Sequence, residues 1–121
     1  MILGLGVDLV DIARFERAID RTPRLLDRLL HSSEHDRDGR RRTASSLAAR
    51  VAAKEAAFKA LGATEGISWH DVIVVQSDDG APTLELKGRA AEVAQSRGVS
   101  SALVSMTHDG GHAVAVVVLE S

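Results

Sequence analysis

Apolar positions outline the chain before any other property does. Between Arg50 and Gly62 the sequence RVAAKEAAFKALG is rich in alanine, without internal glycine or proline, and it ends on a glycine. Glycine readily takes the left-handed conformation that closes a helix, so the pattern predicts a helix here, starting near Ser45. At about 100° per residue, Leu47, Val51, Phe58 and Leu61 fall on one narrow stripe, the core side of an amphipathic helix. Lys54 falls inside that stripe. It needs a carboxylate, a set of carbonyls or an anionic ligand, unless its stem carries the ammonium past the core to solvent. Glu55 sits on the stripe's edge with Lys59 one turn further, spaced as a solvated i,i+4 ion pair or as two charges flanking an apolar face for another purpose.

Other elements surround this helix. Ile2–Val10 is apolar apart from Gly4, Gly6 and Asp8, which predicts a strand buried on both faces. Asp8 breaks the pattern and is either hydrogen-bonded structurally or a ligand for something positive. Gly4 and Gly6 do not make a dinucleotide fingerprint, because Leu9 stands where the third glycine belongs. Asp11 is placed to cap a helix over Ile12–Arg21, with Ile12, Phe15 and Ile19 inward and Arg14, Arg17 and Arg21 forming a basic stripe almost opposite. That stripe is either a solvated face or a docking face for an acidic helix.

Thr22-Pro23 reads as a cap followed by proline in the first turn, with Leu25, Leu26, Leu29 and Leu30 on the buried side. Ser32–Thr43 is polar and carries Arg40, Arg41 and Arg42, so a mobile surface loop is expected there. After the loop ATEGIS and Trp69, Asp71–Gln76 and Thr83–Lys87 predict a hairpin about Ser77-Asp78-Asp79-Gly80. A helix over Arg89–Arg97 follows, closed by Gly98. Ser101–Thr107 and Ala113–Leu119 predict a second hairpin about His108–His112. The sum is an α+β fold of antiparallel strands with helices.

Composition narrows the function. At 121 residues one domain, 1–121, is expected, and a net charge of −2 offers no basic field for nucleic acid. Two Phe, one Trp and no Tyr argue against base-stacking platforms. The absence of cysteine rules out disulfides and thiolate metal sites. The apolar start lacks a basic leader and is cut by Asp8, so neither a signal peptide nor a membrane span fits; a cytoplasmic protein is expected. His108 and Asp109 stand at a strand end, a structural position or a site rim, and His108 with His112 is a weak metal pair without a third ligand.

Three blocks together, GLGVDLVDIARFERA, RVAAKEAAFKALG and SMTHDGGHAVAVVV, resemble the holo-[acyl-carrier-protein] synthase family of 4′-phosphopantetheinyl transferases over nearly the whole chain. The resemblance implies the family's fold, a mostly antiparallel sheet packed on a long central helix. It also implies transfer of 4′-phosphopantetheine from coenzyme A to a serine of apo acyl carrier protein, with release of adenosine 3′,5′-bisphosphate. By the same resemblance Asp8 and Glu55 hold Mg²⁺, and Lys59 contacts the pyrophosphate. Arg50, Lys59 and His108 bind coenzyme A, while Arg14, Arg17 and Arg21 dock the carrier protein.

A chain holding one such unit implies a homotrimer with sites at subunit interfaces, which would also give Lys54 and the apolar C-terminal strand partners across an interface. Fatty-acid synthesis is the implied setting. Val51 and Ala57 stand where relatives often carry aromatics, and Gly62–Gly66 is longer than in compact relatives. Two other readings compete: a metal-dependent phosphohydrolase acting on coenzyme A, and a non-catalytic oligomeric module in which Asp8, Lys54 and Glu55 form a buried ionic network.

Overall fold

Asp11 ends the first strand, β1 (Ile2–Asp11), and caps the first helix, α1 (Ile12–Arg21): its Oδ1 accepts the Arg14 amide at 2.9 Å. The computed structural model describes residues 1–62 and 64–121. Ala63, in the loop expected after the central helix, lies outside them. Helix α2 (Arg24–Leu29) follows with Pro23 as its cap rather than in its first turn. Thr22, the expected cap, contributes its carbonyl instead, accepting the Leu25 amide at 2.9 Å. Leu26 and Leu30 are buried, while Leu25 and Leu29 are half-buried.

The stretch expected to be a mobile loop is built. His31 caps a one-turn helix over Ser32–Glu34, and β2 (Asp36–Arg37) pairs with β3 (Arg40–Arg41) about an Asp38-Gly39 turn. Polarity described the exposed part of this stretch correctly, yet Glu34 is buried. Helix α3 (Ala44–Leu61) comes next, capped by the Thr43 hydroxyl and closed by Gly62 at φ 78°. After it come β4 (Val72–Gln76), β5 (Pro82–Leu86), α4 (Gly88–Ser96), β6 (Ser101–Asp109) and β7 (His112–Glu120). The two hairpins appear where expected, with strand ends shifted by a residue or two.

Strands β1, β7 and β6 form one antiparallel sheet in that order, and α3 lies across its inner face. Ala113, Ala115, Val117 and Leu119 of β7 point inward and are buried against the helix, so the inner row of the apolar C-terminal strand finds its partner within the chain. The outer face of the sheet is bare: Leu5, Val7, Leu9 and Leu103 are each more than half exposed. Burial of β1 on both faces is therefore not met in the single chain.

Helix α3 also departs from the expected stripe. Leu47, Val51 and Leu61 are buried, but so are Ala48, Ala49, Ala52, Ala53, Ala56, Ala57 and Ala60, while Phe58 is only partly covered. Small side chains let neighbours approach from nearly every side, and a helix enclosed this way carries little amphipathic signal.

Close approach is sharpest at β1. A methyl group on Gly6 would overlap the Ala56 carbonyl, and one on Gly4 the Ala60 carbonyl. Arg97 fastens the same junction, donating to Ala60 O at 2.8 Å, to Leu61 O at 2.6 Å and to Leu3 O. Gly6→Ala is therefore expected to cost about 3 kcal/mol by forcing strand from helix. A denaturant titration checks this, since an unshifted midpoint would mean that the strand needs no glycine there.

Candidate active site

Register and helix phase bring three of the marked residues together. Asp8 lies on the inner face of the sheet opposite Ala115, at 8% exposure, and α3 passes over it. Lys59, near the end of α3, donates to Asp8 Oδ1 at 3.1 Å and to the Val7 carbonyl at 3.0 Å. Its ammonium thus turns to β1 rather than forming the simple i,i+4 pair with Glu55. Asp8 Oδ2 is buried and makes no hydrogen bond among the described residues.

Glu55, one turn before Lys59, carries a carboxyl pushed up to about 7; burial contributes most, followed by the adjacent Asp8 carboxylate, with the Lys59 charge opposing. A buried and a half-buried carboxyl repel each other and leave an oxygen unsatisfied, which is the donor set a hard divalent cation satisfies. No group of three or more His, Asp or Glu residues that could hold a metal occurs among the described residues. Such a pair suits Mg²⁺, which takes one or two carboxylates and completes its shell with phosphate oxygens and water.

The raised Glu55 carboxyl has a measurable consequence. The folded chain holds this proton more tightly than the unfolded chain, so its contribution to stability is present below pH 4.5 and is lost as pH rises through about 7. Glu55→Gln is expected to flatten that part of the metal-free stability profile. Melting temperatures read from pH 4.5 to 8 decide it, and unchanged slopes would contradict the assignment.

A cavity of about 440 Å³ opens beside Glu55, lined among others by Leu9, Phe15 and Val51 and bounded by Arg14 and His112. Arg14 therefore stands at the site, while Arg17 and Arg21 continue the exposed side of α1 away from it. His112, weighed earlier only as half of a metal pair, places Nδ1 3.2 Å from Gly110 O and Nε2 3.9 Å from Asp11 Oδ2.

Arg50 and His108 are not brought to this cluster. Five residues along α3 turn Arg50 roughly 140° and about 7.5 Å away from Glu55. There it donates to the Ser46 hydroxyl at 2.9 Å, Ser46 O at 3.1 Å and Gln76 Oε1 at 3.0 Å. Arg42 donates to the same Gln76 oxygen at 3.2 Å. Burial, aggravated by Arg42, lowers Arg50 to about 10. Both guanidiniums leave a buried Nε without a hydrogen bond among the described residues. His108 is exposed on β6 opposite Ala113, which in turn faces Val10, so it lies two strands over from β1, about 10 Å across the sheet.

The residue that sequence reasoning missed is Glu34. Lys54, fully enclosed, pairs with Glu34 Oε1 at 2.7 Å and donates to Trp69 O at 2.9 Å. Glu34 also accepts the amides of His31 at 2.8 Å and Val74 at 2.9 Å. Lys54 therefore needs no partner across an interface. Burial still lowers the Lys54 ammonium, with Glu34 opposing. The only local signal was a carboxylate three residues after a capping position, and His31 is an unusual cap.

A profile of the 4′-phosphopantetheinyl transferase superfamily matches residues 4–117, nearly the whole of the chain. The chain belongs to that superfamily. Within it, the chain is 50% identical over 121 residues to the holo-[acyl-carrier-protein] synthase of Salinispora arenicola, covering 99% of each sequence. It is an enzyme of the holo-[acyl-carrier-protein] synthase group.

Solved structures of phosphopantetheinyl transferases share its α+β fold. The holo-[acyl-carrier-protein] synthase of Neisseria meningitidis superimposes with a TM-score of 0.86 at 28% identity, covering 100% of both chains. That of Helicobacter pylori, solved in complex with coenzyme A, gives 0.81 at 34% identity, covering 96% of this chain and 99% of the other. No helix among the described residues is long and apolar enough to cross a membrane.

Proposed function

We propose that this transferase moves 4′-phosphopantetheine from coenzyme A to a serine of apo acyl carrier protein, releasing adenosine 3′,5′-bisphosphate, with Mg²⁺ held by Asp8 and Glu55. The observation that carries this reading is the convergence of Asp8, Glu55 and Lys59, with Asp8 Oδ2 buried and unpartnered. When bound, Mg²⁺ would offset the charge of the pyrophosphate and of the leaving phosphate.

The side chains act around it. Asp8 and Glu55 would hold the cation, which would supply positive charge to the phosphate oxygens. Lys59 contributes a mobile ammonium to the same pyrophosphate. The serine oxygen forms the new bond to phosphorus as the bond to the departing bisphosphate breaks, and the serine proton is released to solvent. Arg50, beside Arg42 with no carboxylate among their hydrogen-bond partners in the described residues, suits an anionic group of coenzyme A, and His108 would bind coenzyme A as well. Arg14, Arg17 and Arg21 present three exposed guanidiniums that fit an acidic carrier helix.

A homotrimer is part of this reading. Asp8, Glu55 and Lys59 stand apart from the exposed His108 within one chain, and in this reading a neighbouring copy supplies that histidine. The bare apolar rows of the sheet, Leu5, Val7, Leu9 and Leu103, offer the contact surface. Sedimentation equilibrium is expected to give three times the 12.8 kDa chain mass. A fully active monomer would contradict the assembly.

Chromatographic detection of adenosine 3′,5′-bisphosphate tests the reaction. The nucleotide is expected only when apo carrier, coenzyme A and Mg²⁺ are all present. Its release without carrier would instead indicate hydrolysis.

A further inference from the structure

We propose that Lys59 is a built-in cation that holds Asp8 in the free enzyme and yields it when coenzyme A arrives, making metal and coenzyme A binding cooperative. The inference rests on the reading that Asp8 and Glu55 hold the metal. It adds a claim about order and coupling.

Lys59 Nζ has two protein acceptors, Asp8 Oδ1 at 3.1 Å and the Val7 carbonyl at 3.0 Å. Val7 lies on β1, an edge strand of its sheet. The ammonium is thus satisfied without any ligand. A divalent cation approaching Asp8 meets a positive charge already bound to that carboxylate, and the like charges disfavour metal binding to the free enzyme.

The Lys59 side chain is 57% exposed while that of Asp8 is 9% exposed, so the ammonium is the partner free to move. Its four-carbon stem can swing outward without disturbing the core. A pyrophosphate beside it supplies stronger acceptors, draws Lys59 off Asp8 and removes the repulsion. By linkage, metal then strengthens coenzyme A binding by the same factor that coenzyme A strengthens metal binding. If Lys59 served only as a phosphate contact, its removal would weaken coenzyme A and leave metal affinity for the free enzyme unchanged.

Electron paramagnetic resonance of free Mn²⁺ tests this at pH 8, with and without coenzyme A, in the absence of carrier so that nothing reacts. Protein-free coenzyme A titrations correct for chelation. Lys59→Gln is expected to bind Mn²⁺ alone about fivefold more tightly than the parent, the scale of one partly exposed ion pair. The tightening by coenzyme A should shrink in that variant, and Lys59→Arg should behave like the parent. Equal or weaker Mn²⁺ binding by Lys59→Gln, with the parent still binding Mn²⁺ through Asp8, would overturn the inference and leave the metal assignment standing. A parent that binds no Mn²⁺ under either condition overturns both.

Discussion

Asp8→Ala is expected to lower the transfer rate by on the order of 10³-fold or more, because losing one of two carboxylates forfeits charge stabilisation worth several kcal/mol. The same substitution should leave the melting temperature unchanged or raise it. Asp8 is buried with Oδ2 unpartnered, and only Oδ1 has a counter-ion. Removing a poorly satisfied buried charge relieves a desolvation cost. Activity lost together with stability would instead make Asp8 a structural residue, so the two measurements belong on the same protein preparation.

Glu34→Gln is expected to have the largest effect on stability. It leaves the Lys54 ammonium fully enclosed without its carboxylate, although Trp69 O remains as an acceptor. Breaking one partner of a buried ion pair costs about 3–5 kcal/mol, which for a chain of this size lowers the melting temperature by roughly 10–20 °C. The double substitution Glu34→Leu with Lys54→Met should recover much of that loss, since replacing both charges removes both desolvation costs. A single substitution that melts like the parent would mean that Lys54 sheds its proton or finds other acceptors.

The two carboxylates of the candidate site were legible in the chain as residues out of place. Asp8 interrupted an apolar strand, and Glu55 stood on the edge of an apolar helix face. Their convergence depended on a register and on close packing at Gly4 and Gly6, which the periodicity of separate elements does not encode.

Helices and hairpins could be placed because caps, turns and apolar spacing act over a few residues. Glu34 was hidden for the opposite reason. It sits among Ser, His and Asp residues that read as surface, and only the fold turns it inward beneath β4. The alanine-rich α3 misled in another way, since a helix covered on nearly all sides shows no clean stripe. Lys59, too, had a local partner on paper in Glu55, yet its ammonium bonds to a strand 51 residues away in sequence.

Intact mass spectrometry of apo acyl carrier protein, incubated with coenzyme A, Mg²⁺ and this protein, tests the central claim most directly. The carrier is expected to gain the mass of one phosphopantetheine, and the gain should vanish with EDTA or with Asp8→Ala. An unmodified carrier alongside cleaved coenzyme A, or modification that persists with both controls, would contradict the account.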